Sequence, residues 1–358
     1  MVNRVSKGVW IAGIVLCLAS FALGGETPVA TCPAEMLVSG FTSGNIHVYD
    51  GCTGEHLRNL DVEQELAGAQ AIVRGPDGHL YVASESNNRV LRYDGETLAF
   101  IDRFVWDDPS TPTVDETGGL LGPTGLAFGP NGHLYVCGFD SDNVLRYDGE
   151  TGAFFDEIVP AGSGGLNGPD AGMVFGPDGM LYVPSFWTNQ VLRYDGARGN
   201  FMDVLTAADS RLDGPRVILF LSDDDTVLVS SSQNGRIQRF DRDTGNRIGT
   251  FGPLLVRPTG MAFGPDGNLY VTSATQSNVV RLDGQTGSLM DTFVPASLGG
   301  LSAGTFVYFH GDEPAPVPAA STWGLVALSI ALLILGSLVL NRHRPRARFR
   351  GGRAVSPP

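Results

Sequence analysis

The stretch Gly75–Val105, GPDGHLYVASESNNRVLRYDGETLAFIDRFV, decides the fold because copies of it return along the chain. Three clear copies begin at Gly129 (GPNGHLYVCGFDSDNVLRYDGETGAFFDEIV), Gly176 (GPDGMLYVPSFWTNQVLRYDGARGNFMDVLT) and Gly264 (GPDGNLYVTSATQSNVVRLDGQTGSLMDTFV). A drifted copy, SDDDTVLVSSSQNGRIQRFDRDTGNRIGTFG, starts at Ser222. Around the quoted stretch, Ala69–Gly75, His79–Ala83, Arg89–Tyr93 and Phe100–Val105 are short apolar runs between turn residues, which reads as four strands. Pro-Asp-Gly or Pro-Asn-Gly joins the first strand to the second, and Asp-Gly-Glu-Thr joins the third to the fourth, both tight-hairpin chemistry. Each unit is an antiparallel meander, and repeated four-stranded units make a β-propeller.

First strands fall at Gln70–Arg74, Gly125–Phe128, Gly172–Phe175, Val217–Leu221 and Gly260–Phe263, and one more run, Gly304–Phe309, stands alone after the last full unit. At the other end Glu35–Gly40, Asn45–Asp50 and His56–Asp61 lack a first strand. The two incomplete pieces complete each other. Pairing them closes the ring and removes its open edges. The expectation is an all-β, six-bladed propeller over residues 35–310, with the closure blade shared by both ends. With 48 Gly, 22 Pro and little helix-type patterning, the composition leaves helices almost no room.

The ends carry targeting signals. Arg4 and Lys7, the apolar run Val9–Leu23 and small residues near Gly24 form a signal-peptide layout over residues 1–25, followed by a lead at 26–34. Leu16 before Cys17 argues against lipoprotein-type cleavage. At the far end a Pro/Ala-rich linker (311–322) precedes an apolar, uncharged segment at 323–340, and a basic tail (341–358) holds Arg342, Arg344, Arg346, Arg348, Arg350 and Arg353. That is a membrane span with a cytoplasmic basic stop, which leaves the repeats outside. Of the basic residues, 16 lie between the ends against all 38 acidic ones, so the exported part carries a net charge near −22. No basic run exists to replace phosphate counterions, which argues against nucleic acid. A monomer is expected.

The repeat pattern, Gly-Pro-Asp-Gly-x-Leu-Tyr-Val, a polar loop, then Asn-x-Val-Leu-Arg-Tyr-Asp-Gly, resembles NHL-type and streptogramin-lyase-like propellers. The C-terminus resembles bacterial PEP-CTERM sorting signals, with Val317–Gly324 (VPAASTWG) keeping Pro318, Ser321, Trp323 and Gly324 of the Ile-Pro-Thr-Leu-Ser-Glu-Trp-Gly variant, while Thr322 replaces its acidic residue. The resemblance implies an exosortase-like processing enzyme as a partner. Propellers of the gluconolactonase type are also similar, and imply a divalent metal held at the channel by Glu, Asn and Asp. Streptogramin lyases imply a His base beside an acidic metal site.

The residues themselves support those activities poorly. The inner strands read AIV, GLAF, GMVF, VILF, GMAF and TFVYF, without a carboxylate, and only Asp170, Arg216, Thr124 and Thr259 stand where a channel mouth would be. His79 and His133 hold one repeat position, where other copies carry Met180 and Asn268, and read as turn residues. Three or more polar side chains converging with a carboxylate in the channel would favour an enzyme; an apolar, sealed channel would sink it. The recurring Asp50, Asp94, Asp148, Asp195, Asp241 and Asp283 suit Ca²⁺ by type, but one turn position per blade is better explained by Asp bonding its own backbone. Arg92, Arg146, Arg193, Arg239 and Arg281 repeat two residues earlier and read as ion-pairing or stacking residues.

Binding is expected where the copies disagree. The loops between second and third strands (Glu85–Asn88, Asp140–Asn143, Trp187–Asn189, Gln233–Asn234, Gln276–Asn278) share a face with the inter-blade connections, the longest being Trp106–Gly122. On that face Trp106, Asp107, Asp108, Asp140, Asp142, an exposed Phe186, Trp187 and Asn189 form a candidate aromatic and acidic patch for a protein or glycan. Cys32 and Cys52 are placed to bridge, pinning the start of the closure blade in an oxidising compartment, and Cys137 reads as a small buried residue. The sequence thus points to a non-catalytic, exported binding or display module without a cofactor, with a propeller hydrolase or lyase, or a structural envelope component, as the alternatives.

Overall fold

The structure, a computed structural model, describes residues 35–60, 65–111, 115–206, 210–221 and 225–311. Its strands form six four-stranded antiparallel sheets. Five are consecutive meanders whose inner strands are Ala69–Arg74, Pro123–Phe128, Val174–Phe175, Pro215–Phe220 and Pro258–Phe263, numbered here as blades 1 to 5. Blade 6 has the order Gly304–His310, Glu35–Gly40, Asn45–Asp50, His56–Asn59, so the last strand pairs with the first, with Met36 opposite Phe309 and Leu37 opposite Tyr308. The closure expected from the two incomplete repeats is therefore present.

The repeated Gly-Pro-Asp-Gly-x-Leu-Tyr-Val explains why the blades pack. Gly78 ends its turn at φ +85°, open to glycine and strained for other residues. The turn aspartate Asp77 then accepts a hydrogen bond from the Tyr81 hydroxyl at 2.8 Å, and Asp178 does the same for Tyr182. The Tyr81 ring meets Phe104 of its own blade and Phe128 of the next edge-on, with centroids 4.8 and 4.9 Å apart. Such a tyrosine is a wedge between blades, worth about 2 kcal/mol in buried apolar surface alone. On the outer strands Arg92–Asp102, Arg146–Asp156, Arg193–Asp203 and Arg281–Asp291 pair across the sheet. Arg92, Arg146, Arg193 and Arg281 are thus ion-pairing residues within a blade; in blade 4, Gly249 lies opposite Arg239, whose Nε donates to Thr226.

Blade 3 departs from the expected pattern. Its inner strand was placed at Gly172–Phe175 and covers only Val174–Phe175. One extra residue between Pro169 and Phe175 breaks the ladder, and Gly172 turns to the neighbouring blade, donating to the Arg216 carbonyl at 2.9 Å. A Cβ on Gly172 would lie 2.3 Å from the Val217 Cα, so only glycine fits this crossing. Elsewhere the inner strands start one or two residues earlier than the apolar runs suggested, at Ala69, Pro123, Pro215 and Pro258.

The signal segment, Cys32, the sorting motif and the apolar segment 323–340 lie outside the described residues. Among the described residues no helix is long and apolar enough to cross a membrane. Cys52 is disulfide-bonded, and Cys137 is a free, buried thiol beside Met173.

Candidate functional site at the channel mouth

Two rings of residues, one from each blade, build the upper mouth of the central channel. The lower ring is the second residue of each inner segment: Gln70, Thr124, Asp170, Arg216, Thr259 and Thr305. Where that residue is threonine, its hydroxyl ties one blade to the next. Thr124 donates to the Pro169 carbonyl at 2.8 Å, Thr259 to Gly304 at 2.6 Å and Thr305 to Ala69 at 2.6 Å. Gln70, Asp170 and Arg216 replace this tie with groups that meet each other. Arg216 Nη2 lies 3.0 Å from Asp170 Oδ1 and 3.4 Å from Gln70 Oε1.

The upper ring is the residue that follows each second strand: Phe41, Glu85, Phe139, Phe186, Ser232 and Ala274. Glu85 thus stands where three other blades place phenylalanine, and the Gln70 amide donates to its carboxylate. Burial pushes the Glu85 carboxyl up to about 7, with Asp170 and Asp140 adding to the rise and Gln70 and Arg216 opposing it. Burial likewise raises Asp170, which is 1% exposed, against the pull of Arg216 and of the Ala171 amide. The Arg216 Nε is buried without a hydrogen-bond partner. Together with Arg257 and Thr275, these groups line a cavity of about 310 Å³.

Of the four residues expected at the mouth, Thr124, Asp170 and Arg216 line the cavity and Thr259 does not. Gln70, Glu85, Thr305 and Arg257 join them without having been singled out for it. Aligning the copies at the end of the second strand would have exposed Glu85 as a carboxylate in a phenylalanine position.

The expected aromatic and acidic patch is rearranged. Phe186 is only 8% exposed, a correction, because its ring forms the mouth wall and packs edge-on to Trp187 at 4.7 Å, while Trp187 itself is 60% exposed. Asp107 accepts hydrogen bonds from the Glu116 and Thr117 amides, Asp108 from Ser110, and Trp106 lies under the Arg103 guanidinium. Asp142 and Asn189 accept from the amides of Gly168 and Gly214, where each locks the start of the next blade. Asp140 is exposed above Gly122. Asp107, Asp108 and Asp142 therefore hold backbone amides, and the aromatic part, Phe139–Phe186–Trp187, runs from the mouth wall to the rim.

The recurring turn aspartates behave similarly. Asp94 Oδ1 accepts from the Thr97 amide and hydroxyl, which holds its carboxyl below the usual range, and Asp148, Asp241 and Asp283 repeat the arrangement. Among the described residues no group of three or more acidic, histidine or cysteine side chains is placed to hold a metal ion.

No family model matches the chain, and no curated protein matches it. Solved structures do. A chain in the crystal structure of a nidogen/laminin complex superposes with a TM-score of 0.59 at 17% identity, covering 76% of this chain and 97% of that one. A protein of unknown function from Bacteroides caccae superposes with a TM-score of 0.58 at 13% identity, covering 77% and 98%. Likeness at such identity is a statement about fold, and the chain is a six-bladed β-propeller. Function has to be argued from the mouth.

Proposed function

We propose that the chain is an exported binding propeller that takes a saccharide unit of an envelope glycan into its upper mouth. The observation that carries this is the replacement of the threonine tie in three blades by Gln70, Asp170 and Arg216, which converge with Glu85 beneath walls of Phe41, Phe139 and Phe186. A sugar ring needs donors and acceptors around its edge and an apolar surface against its face, and few convergent polar groups in an aromatic-walled cavity supply both. The exposed Trp187 extends the aromatic wall toward a second unit. We assign the repeats to the NHL-like type on their sequence pattern, and we place the propeller outside the cytoplasm, anchored by residues 323–340 and open to tail removal by an exosortase-like enzyme.

Retention on immobilised envelope polysaccharide, with the full chain in detergent, tests the binding. Gln70→Ala and Phe139→Ala are each expected to weaken retention about tenfold while the fold persists. Retention that both variants leave unchanged would sink the reading. The mass of the mature chain tests tail removal.

One observation favours a second reading. A carboxyl at about 7 beside an arginine is suited to proton transfer at neutral pH, the requirement of a propeller hydrolase or lyase. Binding is preferred because the Glu85 carboxylate accepts from the Gln70 amide, which holds it as part of the mouth wall. Release of product from a bound glycan, abolished in Glu85→Gln, would reverse that preference.

A further inference from the structure

Arg257 has a backbone conformation that four other blades reserve for glycine. The residue before each inner segment has positive φ: Gly68 at 68°, Gly122 at 61°, Gly168 at 65°, Gly214 at 63°, Arg257 at 44° and Ala303 at 54°. A side chain in this region strains the backbone. Neighbouring side chains, those of the same blade and of the upper ring, explain most of the choices. A Cβ at Gly68, Gly168 or Gly214 would meet Ser86, Trp187 or Gln233 of its own blade at 2.5, 2.7 or 2.7 Å, and Phe41, Phe139 or Phe186 of the blade before at 2.9, 3.1 or 2.8 Å, so those blades leave little room. Ser232 and Ala274 are small, and the residues that follow them around the ring are Arg257 and Ala303. Space alone is therefore satisfied by alanine, as blade 6 demonstrates, and it does not call for a strained, long cation at the rim of the cavity.

The charges around Arg257 sharpen the point. Arg216 is paired with Asp170 at 3.0 Å, and Glu85 receives the Gln70 amide. The Arg257 guanidinium lines the same cavity without a hydrogen-bonded or ion-paired partner among the described residues. It is an unmatched cation on an otherwise acidic propeller.

We infer that the sugar taken into the mouth is a hexuronic acid, and that its carboxylate is held by the Arg257 guanidinium. The inference rests on the saccharide reading of the mouth. A planar guanidinium matches a carboxylate with two parallel hydrogen bonds, so Arg257 orients the sugar as well as attracting it. Gln70, Asp170 and Arg216 then face its hydroxyls.

The test is calorimetric titration of the full chain, in detergent, with trigalacturonate and with the same oligomer after carboxyl reduction. Arg257 is exposed at the rim, so the acidic oligomer is expected to bind about fivefold more tightly, the effect of one charge-assisted pair screened by solvent. Arg257→Gly installs the residue used by four other blades, so it folds, and it is expected to bring the two oligomers to equal affinity. Arg257→Lys keeps the charge and is expected to retain part of the preference. Equal binding of both oligomers by the unaltered chain, a preference that survives Arg257→Gly, or tighter binding of a sulfated galactan overturns the uronic acid inference and leaves the saccharide reading standing. Binding of none of these sugars overturns the reading of the mouth itself, and the inference with it.

Discussion

The two mouths of the channel are made by opposite ends of the same inner strands, yet they share almost no chemistry. The upper mouth gathers Gln70, Asp170, Arg216, Glu85 and Arg257. The lower opens between the first hairpin turns into cavities of about 680 and 350 Å³ that share Val73, Val174, Leu219, Met261 and Phe306. Phe306 packs against the cores of three different inter-blade clusters. Below the upper ring the channel needs only apolar filling, and burial is enough to specify it. Above, three blades give up a bond that would hold the ring together. The polar mouth is a departure from the repeat, and departures from a repeat are where binding is to be sought.

The largest effect should come from breaking the buried pair at the polar mouth. Arg216→Met leaves Asp170 buried without its partner, and is expected to cost about 4 kcal/mol in chemical denaturation. Adding Asp170→Asn should restore much of that loss. If the double variant is as unstable as the single, the pair is not what holds this end of the ring. At the apolar mouth, Phe306→Ala should cost about 3 kcal/mol by opening a void between clusters. It should leave sugar binding above within about twofold; a large loss of binding would mean that the two mouths are not separable.

How much of this contrast can be read in the sequence follows from which signals repeat. The repeats determine the blades, the closure and the positions of Asp170, Arg216 and Thr124, because hairpin turns and apolar runs keep the copies in phase. Gln70 is hidden inside what reads as a strand, since its neighbours Ala69, Ala71 and Ile72 are apolar. Glu85 reads as a loop residue because it follows the second strand in a polar run, Glu85–Asn88, although the copies begun at Gly75, Gly129 and Gly176 already place it opposite Phe139 and Phe186. Asp107, Asp108, Asp142 and Asn189 look available for ligands, but backbone amides left open by loops compete for the same oxygens and are covalently close. Trp187 and Phe186 are adjacent in sequence and opposite in exposure, which depends on the neighbouring blade's Gly214 and not on local pattern.

A pH titration separates the mouths further, because the lower one is lined almost entirely by apolar groups. Glu85 faces Gln70, Asp170, Arg216 and Asp140, and its carboxyl is raised from 4.5 to about 7. The folded state therefore binds its proton more tightly than the unfolded chain does. This contribution to stability is complete below about pH 4.5 and is lost as pH rises through about 7. Glu85→Gln should match the unaltered protein at pH 4.5 and exceed its stability by about 2 kcal/mol at pH 8. A constant difference across that range would show that Glu85 is solvated like a surface carboxylate. His47 gives an opposite and smaller trend in blade 6: burial lowers its pKa from 6.5, so its contribution is present above that pH and is lost on acidification.

The smallest effect concerns strain, and it has the opposite sign to the first. Arg257 holds φ at +44°, and no ion pair or hydrogen bond of its guanidinium compensates among the described residues. Glycine at this position relieves the Cβ–carbonyl crowding and loses some entropy in the unfolded chain, so the net gain is a fraction of the nominal strain. Arg257→Gly should therefore raise stability by about 0.5–1 kcal/mol, measured by denaturant midpoint at unchanged slope. Arg257→Ala removes the same guanidinium but keeps the Cβ, and should be close to neutral. If glycine and alanine have equal effects, the backbone at Arg257 is not strained, and the case for a residue kept at the mouth against its own conformational preference fails. If glycine alone stabilises, the arginine is retained there despite the fold, and the reason for it must lie in what the mouth binds.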